Sequence, residues 1–476
     1  MNHVWQTLVE RIHATPQRGV IVVTGGGASA IADLLSVPGG SRTLLEAVVP
    51  YSEAALTDWL RKRPELFCVE ETALAMAVVA FERAGKLQQA ADAAKSQAGH
   101  EGRSCLESKT TGSFALSTSD LRESLAVSPR PDVNSHNSLV GLACTASLAS
   151  ERPKKGDHRC HVAIQTTNET RTWSLVLAKG ARNRAGEEQI AGQLIIHALA
   201  CALRLNDLPA LDLLADETVV EHSAAADPLL IELLDGKRGV VWSLPLSANP
   251  NRISPGGPIL FESVPTPGSP GKIPNAKFEI PASKKTGPKS EITSTFVLSP
   301  NLAAFAPPIA LLCGSFHPLH FGHEQLRAAA ERRLAGPVYY EMSIRNVDKP
   351  PLDFLSIERR REQFTSLPLA LTAAPTFAEK AAAFPGTVFV VGVDTAERIV
   401  EPRYYQGSEA ALREALSQVR TAGCRFLVAG RKVDERFETL SDVAVPAEFA
   451  DLFAAISPDD FRADVSSSEL RRSGCA

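Results

Sequence analysis

Two histidines three residues apart, His320 and His323, are the side chains whose types and spacing most clearly indicate chemistry. They lie between an apolar run, Ile309–Cys313, and a helical pattern, His323–Leu334, so they are expected at a strand-to-helix turn. The first turn of a helix offers unpaired backbone N–H groups and a partial positive charge, which suit phosphate. Two imidazoles beside that turn would donate further hydrogen bonds to phosphate oxygens. The alternative, that both are loop and capping residues, is disfavoured because the pair encloses a glycine and follows G-S-F-x-P.

The segment around the histidines allows a ligand to come close to the backbone. Gly314–His323 reads G-S-F-H-P-L-H-F-G-H. A glycine has no Cβ, so Gly314 and Gly322 leave room for a bound group. We therefore expect Gly314, Ser315, Phe316 and Gly322 to border a bound phosphate group together with the two histidines.

Apolar runs and helical patterns alternate through the last third of the chain. Such alternation is typical of a parallel sheet with right-handed crossovers. Ligands of these sheets bind at the carboxyl ends of the strands, where the histidines fall. The expected strands are Ile309–Cys313, Val338–Met342, Thr387–Val391 and Arg425–Ala429, and the expected helices are His323–Leu334, Ile357–Ser366 and Ser408–Thr421.

A second phosphate-binding pattern stands near the end of the sequence. Val465–Arg471 reads V-S-S-S-E-L-R. Its hydroxyls and arginine at a helix start suit a triphosphate. The alternative is a plain capping box between Ser466 and Glu469. In company with the histidines we favour a role in binding for Ser466, Ser467, Ser468 and Arg471.

The histidine and serine segments together resemble the signature of the nucleotidyltransferase superfamily with the H-x-G-H motif. The resemblance is closest to the nicotinamide/nicotinate mononucleotide adenylyltransferases and covers residues 307–476. It implies a Rossmann-like fold, ATP with its Mg²⁺ as donor, a pyridine mononucleotide as acceptor, and His320, His323 and Arg471 as catalytic residues. Metal ligands supplied by the chain are not evident.

The same resemblance implies roles for residues beyond these segments. Asp394, in a G-V-D sequence, would bind nucleotide hydroxyl or base groups, although a helix cap at this position stays open. Arg431 would border the adenine pocket. The acceptor side is assigned to Asn346, Lys349 and Arg360, and the arginine run 359–361 is equally compatible with the solvent face of a helix.

The first part of the chain carries another set of motifs. The strand pattern Val20–Val23 leads into T-G-G-G, a V-P-G turn begins at Val37, a Tyr-Ser pair at Tyr51, and an E-x-A-x-x-M-A helix at Glu71. These resemble the C-terminal domain of the competence/damage-inducible protein family, whose members include nicotinamide-mononucleotide amidohydrolases. The resemblance implies an α/β domain with a site at Thr24, Gly25, Gly26, Tyr51 and Thr145.

Departures from that family argue against amidase activity. Thr24 stands where the family has its active serine, and Leu56 stands where it has a lysine. A hydroxyl nucleophile needs a base beside it, and leucine is not one. The family's second glycine-rich loop corresponds to Gly141–Ser147, which has lost most of its glycines. We expect a retained fold in which the glycines after Thr24 can still cradle a phosphate, with a binding, regulatory or homo-oligomer-forming role.

Length and composition exclude other classes. At 476 residues the chain should form two or three domains. A net charge of −4 disfavours a nucleic-acid partner bound through bulk charge. No apolar run has the length of a membrane span, and the first residues lack a signal-peptide core. The eight cysteines contain no C-x-x-C, which predicts free thiols and a cytoplasmic protein.

We therefore expect an α/β protein with two domains. Residues 1–205 would form the amidohydrolase-like domain, with a polar insertion at 86–138. Residues 206–306 would be an irregular, proline-rich connection, in which Leu229–Leu233 and Val240–Leu244 are open as strands or short helices. Residues 307–476 would form the nucleotidyltransferase domain.

The leading hypothesis is an adenylyltransferase that joins ATP and nicotinamide or nicotinate mononucleotide and releases pyrophosphate. One alternative is a nucleotidyltransferase with another phosphorylated acceptor or with CTP as donor. The other is a catalytically silent pyridine-nucleotide sensor.

Overall fold

The computed structural model describes residues 2–107, 139–152, 154–244, 259–262, 264–265, 296–297, 308–433 and 436–462. The chain divides into two compact units, residues 1–226 with 353–355 and residues 227–352 with 356–476. Both units combine helices with sheets, which confirms the α/β class. The division falls after Ala226, whereas the sequence placed a boundary after residue 205.

The described part of the first unit contains one sheet in the order β2-β1-β3-β4-β5-β6. Strands β2, β1 and β3 are parallel, and β3 to β6 follow as antiparallel neighbours. The apolar side chains of β1 are buried on both faces, as expected for a parallel strand covered by helices. The elements are α1 His3–His13, β1 Arg18–Thr24, α2 Ala28–Ser36, α3 Gly40–Thr43, β2 Leu44–Val48, α4 Glu53–Leu60, α5 Glu70–Glu107, β3 Leu139–Ser147, β4 His158–Gln165, β5 Glu169–Leu177, α6 Arg184–Ala202 and β6 Val219–Ala225.

Helix α5 extends into the polar insertion that the sequence predicts at residues 86–138. The helix continues through residues 86–107, which the sequence analysis assigned to that insertion. Alanine, glutamine, lysine and glutamate are frequent there, and these residues have high helix propensity. Residues 108–138 of the expected insertion lie outside the described residues.

The segment expected to be a second glycine-rich loop is a strand. Gly141–Ser147 lies within β3, which is buried along almost its whole length. A Cβ at Gly141 would come within 2.3 Å of the carbonyl oxygen of Ala77 and the backbone nitrogen of Phe81 in α5. This glycine therefore allows close packing between helix and strand.

The described part of the second unit contains an eight-stranded sheet in the order β18-β15-β14-β11-β12-β13-β7-β8. The elements are α7 Pro228–Leu234, β7 Val240–Leu244, β8 Ile259–Glu262, β9 Val264–Pro265, β10 Phe296–Val297, β11 Ala310–Cys313, α8 Phe321–Leu334, β12 Val338–Ser343, α9 Phe354–Arg361, β13 Leu369–Thr372, α10 Phe377–Ala383, β14 Val388–Gly392, α11 Val393–Val400, α12 Glu409–Thr421, β15 Arg425–Ala429, β16 Arg431–Val433, β17 Arg436–Glu438 and β18 Phe453–Ala455, with 3₁₀ turns at Pro402–Tyr405, Leu440–Asp442 and Ala447–Leu452.

The parallel part of this sheet is doubly wound. Taken in chain order, β11, β12, β13, β14, β15 and β18 give the spatial order 3-2-1-4-5-6. The chain reverses direction across the sheet between β11 and β14, and crevices for ligands form at such switch points. The predicted strands and helices of this region are confirmed, with ends that differ by a few residues.

The middle segment contributes to the second unit. Of the two runs left open by the sequence, the first forms helix α7 and the second forms strand β7. Strand β7 pairs antiparallel with β13, and β8 pairs with β7 at the sheet edge. This part of residues 206–306 is therefore regular structure, because its apolar side chains extend a buried sheet. Most of the proline-rich remainder lies outside the described residues.

The sequence also predicts free cysteine thiols and no membrane-spanning segment. The six cysteines with described side chains are free thiols: Cys68, Cys144, Cys160, Cys201, Cys313 and Cys424. Within the described ranges, no helix carries the apolar stretch that a bilayer crossing requires.

Candidate active site in the second unit

The connection from β11 to α8 forms the candidate site. Gly314, directly after β11, donates its N–H to the carbonyl oxygen of Glu341 in β12 at 3.0 Å. Phe316 follows with φ of +44°, a left-handed conformation that costs about 1–2 kcal/mol for a residue with a side chain. A Cβ at position 314 would lie 2.8 Å from Cε1 of Phe316, so only glycine fits against that ring.

The Phe316 ring is a buried anchor for the loop. It is 1% exposed, and its centroid lies 5.3 Å from those of Tyr340 and Phe364, with edge-to-face geometry in both pairs. The ring of His323 packs on it in the same way at 5.1 Å. Such contacts add about 0.5–1.5 kcal/mol per aromatic pair beyond burial, which offsets the cost of the backbone conformation.

His320 and His323 lie directly against each other. Their ring centroids are 3.8 Å apart, with 31° between the ring planes. His320 is the N-cap residue of α8, a helix of 14 residues, and its backbone N–H donates to Nδ1 of His323 at 3.2 Å. A ring nitrogen that accepts a hydrogen bond carries no proton, so a neutral His323 ring holds its proton on Nε2.

Both imidazoles are neutral near pH 7. Burial, followed by the nearby His320 ring, lowers the pKa of His323 to about 3. Burial also lowers the pKa of His320. Among the described residues, Nδ1 of His320 is buried and has no hydrogen-bond partner. A buried polar atom without a partner is costly, so this nitrogen is available to a bound ligand.

Asp394 and Arg431 follow the next strands of the sheet. Asp394 lies in the first turn of α11 after β14, the parallel neighbour of β11, and Arg431 follows β15. Their side chains form an ion pair with 3.4 Å between Nη1 and Oδ2. Gly392 is the N-cap of α11 and no side chain caps it, so Asp394 does not serve as the helix cap.

Arg360, one of the three acceptor-side candidates, contacts the histidine loop, which is the segment 314–323 that joins β11 to the first turn of α8. Arg360 in α9 donates from Nη1 to the carbonyl oxygen of Ser315 at 3.3 Å. Asn346 and Lys349 lie in an exposed loop after β12, where Oδ1 of Asn346 accepts the N–H of Asp348 at 3.2 Å. The remaining candidates, Ser466, Ser467, Ser468 and Arg471, lie outside the described residues.

Gln363 was not predicted from the sequence, and its side-chain amide forms hydrogen bonds with the histidine loop. Its Oε1 accepts the N–H of Leu319 at 2.7 Å, and its Nε2 donates to the carbonyl oxygen of Phe316 at 3.2 Å. No motif marks this glutamine, because it acts on residues more than forty positions away.

The first unit contains a separate cavity of about 410 Å³. Four of the five predicted site residues line it, namely Thr24, Gly25, Gly26 and Tyr51. The fifth, Thr145, is not part of the lining, and its hydroxyl donates to the carbonyl oxygen of Phe67 at 2.7 Å.

Two polar side chains of this cavity already have partners within the protein. The Thr24 hydroxyl donates to the carbonyl oxygen of Pro50 at 2.9 Å. Glu188 accepts the N–H of Ser29 in the first turn of α2 at 3.1 Å. The carboxylate of Glu188 therefore occupies the position where a helix N-terminus would receive a phosphate, which argues against the expected cradle at residues 25–29.

No family model matches this sequence, and no curated protein matches it. Solved structures that are similar to part of the chain include the competence/damage-inducible protein CihA from Agrobacterium tumefaciens, at 17% identity over 44% of this chain and 98% of that one, with a TM-score of 0.27. A competence or damage-inducible protein from Enterobacter asburiae gives 12% identity, 43% and 98% coverage and a TM-score of 0.27. A competence-damaged protein (CinA) superfamily member from Escherichia coli gives 13% identity, 42% and 87% coverage and a TM-score of 0.26.

Proposed function

We propose that the second unit transfers AMP from Mg²⁺-bound ATP to nicotinamide or nicotinate mononucleotide and releases pyrophosphate. The observation that carries this proposal is the stacked pair of neutral imidazoles, His320 and His323, at the switch point of a doubly wound sheet. The pair stands at the N-terminus of α8, where backbone N–H groups also favour phosphate.

The nucleotide is proposed to lie across the carboxyl ends of β11, β14 and β15. The loop containing Gly314, Ser315, Phe316 and Gly322 would border its phosphates. Asp394 would accept hydrogen bonds from the nucleoside, and Arg431, which pairs with it, would lie beside the base. The C-terminal serines and Arg471 keep their proposed role at the triphosphate.

The chemistry follows from neutral donors. A phosphate oxygen of the acceptor attacks the α-phosphorus of ATP, the new P–O bond forms, and the bond to the leaving pyrophosphate breaks. The attacking phosphate is already an anion, so no protein base is required. His320 and His323 donate N–H groups to phosphate oxygens on which charge develops. One such donor is worth about 3–4 kcal/mol and alignment of the reactants about 7–11 kcal/mol. The Mg²⁺ enters with ATP as part of the substrate.

The acceptor is the part of the proposal that depends on sequence resemblance. Asn346, Lys349 and Arg360 are the proposed acceptor-side residues, and Arg360 reaches the histidine loop at Ser315. Another phosphorylated acceptor, such as a phosphorylated pantetheine or alcohol, or CTP as the donor, would use the same phosphate chemistry.

The test uses the full chain with Mg²⁺-ATP and each mononucleotide in turn, and follows pyrophosphate. We expect release that depends on the acceptor and falls at least a hundredfold in His323→Ala, with His3→Ala on the exposed face of α1 as the control. Absence of pyrophosphate with both mononucleotides would overturn the acceptor assignment. Release with phosphopantetheine, or with CTP and a phosphorylated alcohol, would then identify the alternative enzyme.

For the first unit we propose binding without turnover. The Thr24 hydroxyl donates its hydrogen bond to the carbonyl oxygen of Pro50. Leu56 is a buried core residue of α4, and it stands where the family that this unit resembles has a lysine. Binding of a mononucleotide that persists when Lys349 and Arg360 are both replaced by alanine, measured by calorimetry without ATP, would support a sensor role for this unit.

A further inference from the structure

We propose that Gln363 is a positioning residue that holds His320 and His323 in their donor geometry. This inference rests on the proposed nucleotidyl transfer and adds a residue to that same site. Gln363 forms hydrogen bonds with the backbone of Phe316 and Leu319, so its action on the histidines runs through the loop between these two residues.

Gln363 uses both ends of its amide on that loop. The carbonyl oxygen accepts the N–H of Leu319 at 2.7 Å, and the NH₂ group donates to the carbonyl oxygen of Phe316 at 3.2 Å. The same NH₂ group also contacts the carbonyl oxygens of Arg359 and Arg360 at the end of α9, at 3.4 and 3.2 Å. The side chain therefore connects Phe316 and Leu319, at the start and the end of the turn, to the C-terminal end of α9.

His320, the residue after Leu319, links this contact to the histidine rings. The N–H of Leu319 donates to Oε1 of Gln363, and the N–H of His320 donates to Nδ1 of His323. The orientation of one peptide thus constrains its neighbour, which selects the His323 tautomer with the proton on Nε2. Loss of the Gln363 acceptor would leave Leu319 N–H unpaired and release this constraint.

Phe364 strengthens the same contact. It follows Gln363 directly, is 3% exposed, and packs edge-to-face on Phe316. Polar and aromatic contacts from two consecutive residues therefore fix the loop at its left-handed residue, Phe316, and at Leu319. The aromatic contact remains when Gln363 is replaced, so the substitution is expected to loosen the loop without unfolding the unit.

The experiment compares Gln363→Met, which removes both hydrogen-bonding ends at similar length, with Gln363→Glu, which keeps an acceptor for Leu319. The matched control is Gln418→Met on α12, whose exposed amide donates to Glu414 on the same helix. We expect kcat for pyrophosphate release to fall about tenfold to a hundredfold in Gln363→Met, less in Gln363→Glu, and not in the control, because small misplacement of catalytic groups has effects of this size. The KM for ATP should change far less than kcat.

A second readout is independent of turnover. ¹⁵N spectra of the histidine rings, assigned with His320→Gln and His323→Gln, report which nitrogen of His323 carries the proton. We expect the protonated-Nε2 pattern in the wild type and in Gln418→Met, and a mixture of tautomers in Gln363→Met. Unchanged kcat together with an unchanged ring spectrum in both Gln363 variants would overturn the inference. If the wild type releases no pyrophosphate, the proposed function fails, and the ring spectra alone decide the role of Gln363.

Discussion

Asp394 and Arg431 follow adjacent parallel strands and form an ion pair at the carboxyl edge of the sheet, with 3.4 Å between Oδ2 and Nη1. Their side chains are 43% and 39% exposed. Pairs this exposed contribute about 0.2–1 kcal/mol to stability. The pair therefore does little for the fold, and its two residues are the ones proposed to contact the nucleotide.

Substitution of Asp394 should weaken the binding of ATP without changing the stability of the fold. In Asp394→Asn we expect a nearly unchanged thermal midpoint and a KM for ATP raised about tenfold to a hundredfold, because a charged acceptor contributes about 1.5–3 kcal/mol to a hydrogen bond. Asp235→Asn, in another exposed pair of the same unit, is the control and should change neither quantity. Equal KM values in both variants would remove Asp394 from the nucleotide site.

Gly314→Ala should damage the histidine loop directly. The added Cβ would stand 2.8 and 2.9 Å from Cε1 and Cζ of Phe316, whose ring cannot withdraw because it is buried among aromatic neighbours. Overpacking of this kind costs about 1–3 kcal/mol. We expect a lower midpoint in chemical denaturation and loss of most pyrophosphate release.

The control for this change is Gly239→Ala. A Cβ there would meet nothing within 4 Å, and the residue is exposed before β7. It should leave stability within about 0.5 kcal/mol of the wild type, as for ordinary surface changes. A Gly314→Ala variant with the same stability and turnover as this control would show that the loop tolerates the extra methyl group.

The low pKa of His323 predicts a specific pH dependence of stability. The folded ring has a pKa of about 3 against an ordinary value of 6.5, so the unfolded chain binds the proton first as the pH falls. The stability from a neutral His323 is fully present above pH 6.5 and is lost progressively toward pH 3. Between pH 6.5 and 4.5 we expect a loss of roughly 2 kcal/mol from this group.

The measurement compares the wild type with His323→Gln, which has no titrating ring. Urea unfolding at pH 7.5, 6.5, 5.5 and 4.5 gives the free energy of unfolding at each pH. The difference between the two proteins should be constant above pH 7 and should shift in favour of the variant as the pH falls. Parallel curves over the whole range would contradict the depressed pKa.

Local sequence patterns predicted four strands and three helices of the second unit, namely β11, β12, β14, β15, α8, α9 and α12, because strands, turns and helix starts depend on neighbouring residues. They placed His320 and His323 correctly at the junction of β11 and α8. Gln363 could not be found this way, since its role depends on contacts 44 and 47 positions away along the chain. Glu188 was missed for the same reason, because it reaches Ser29 across 159 positions. Periodicity also says little about which glycines serve packing, as Gly141 shows against α5.

The first unit should release no ammonia from nicotinamide mononucleotide. The hydroxyl of Thr24 donates to Pro50 at 2.9 Å, and Leu56, 2% exposed, offers no base to activate it. The acidic side chain in this cavity, Glu188, is held at the start of α2 by the N–H of Ser29. Ammonia is followed with the full chain, with Thr24→Val as the comparison, and both should match the rate without protein. Release by the wild type that disappears in Thr24→Val would mean that the threonine exchanges its carbonyl partner for a substrate and acts as a nucleophile.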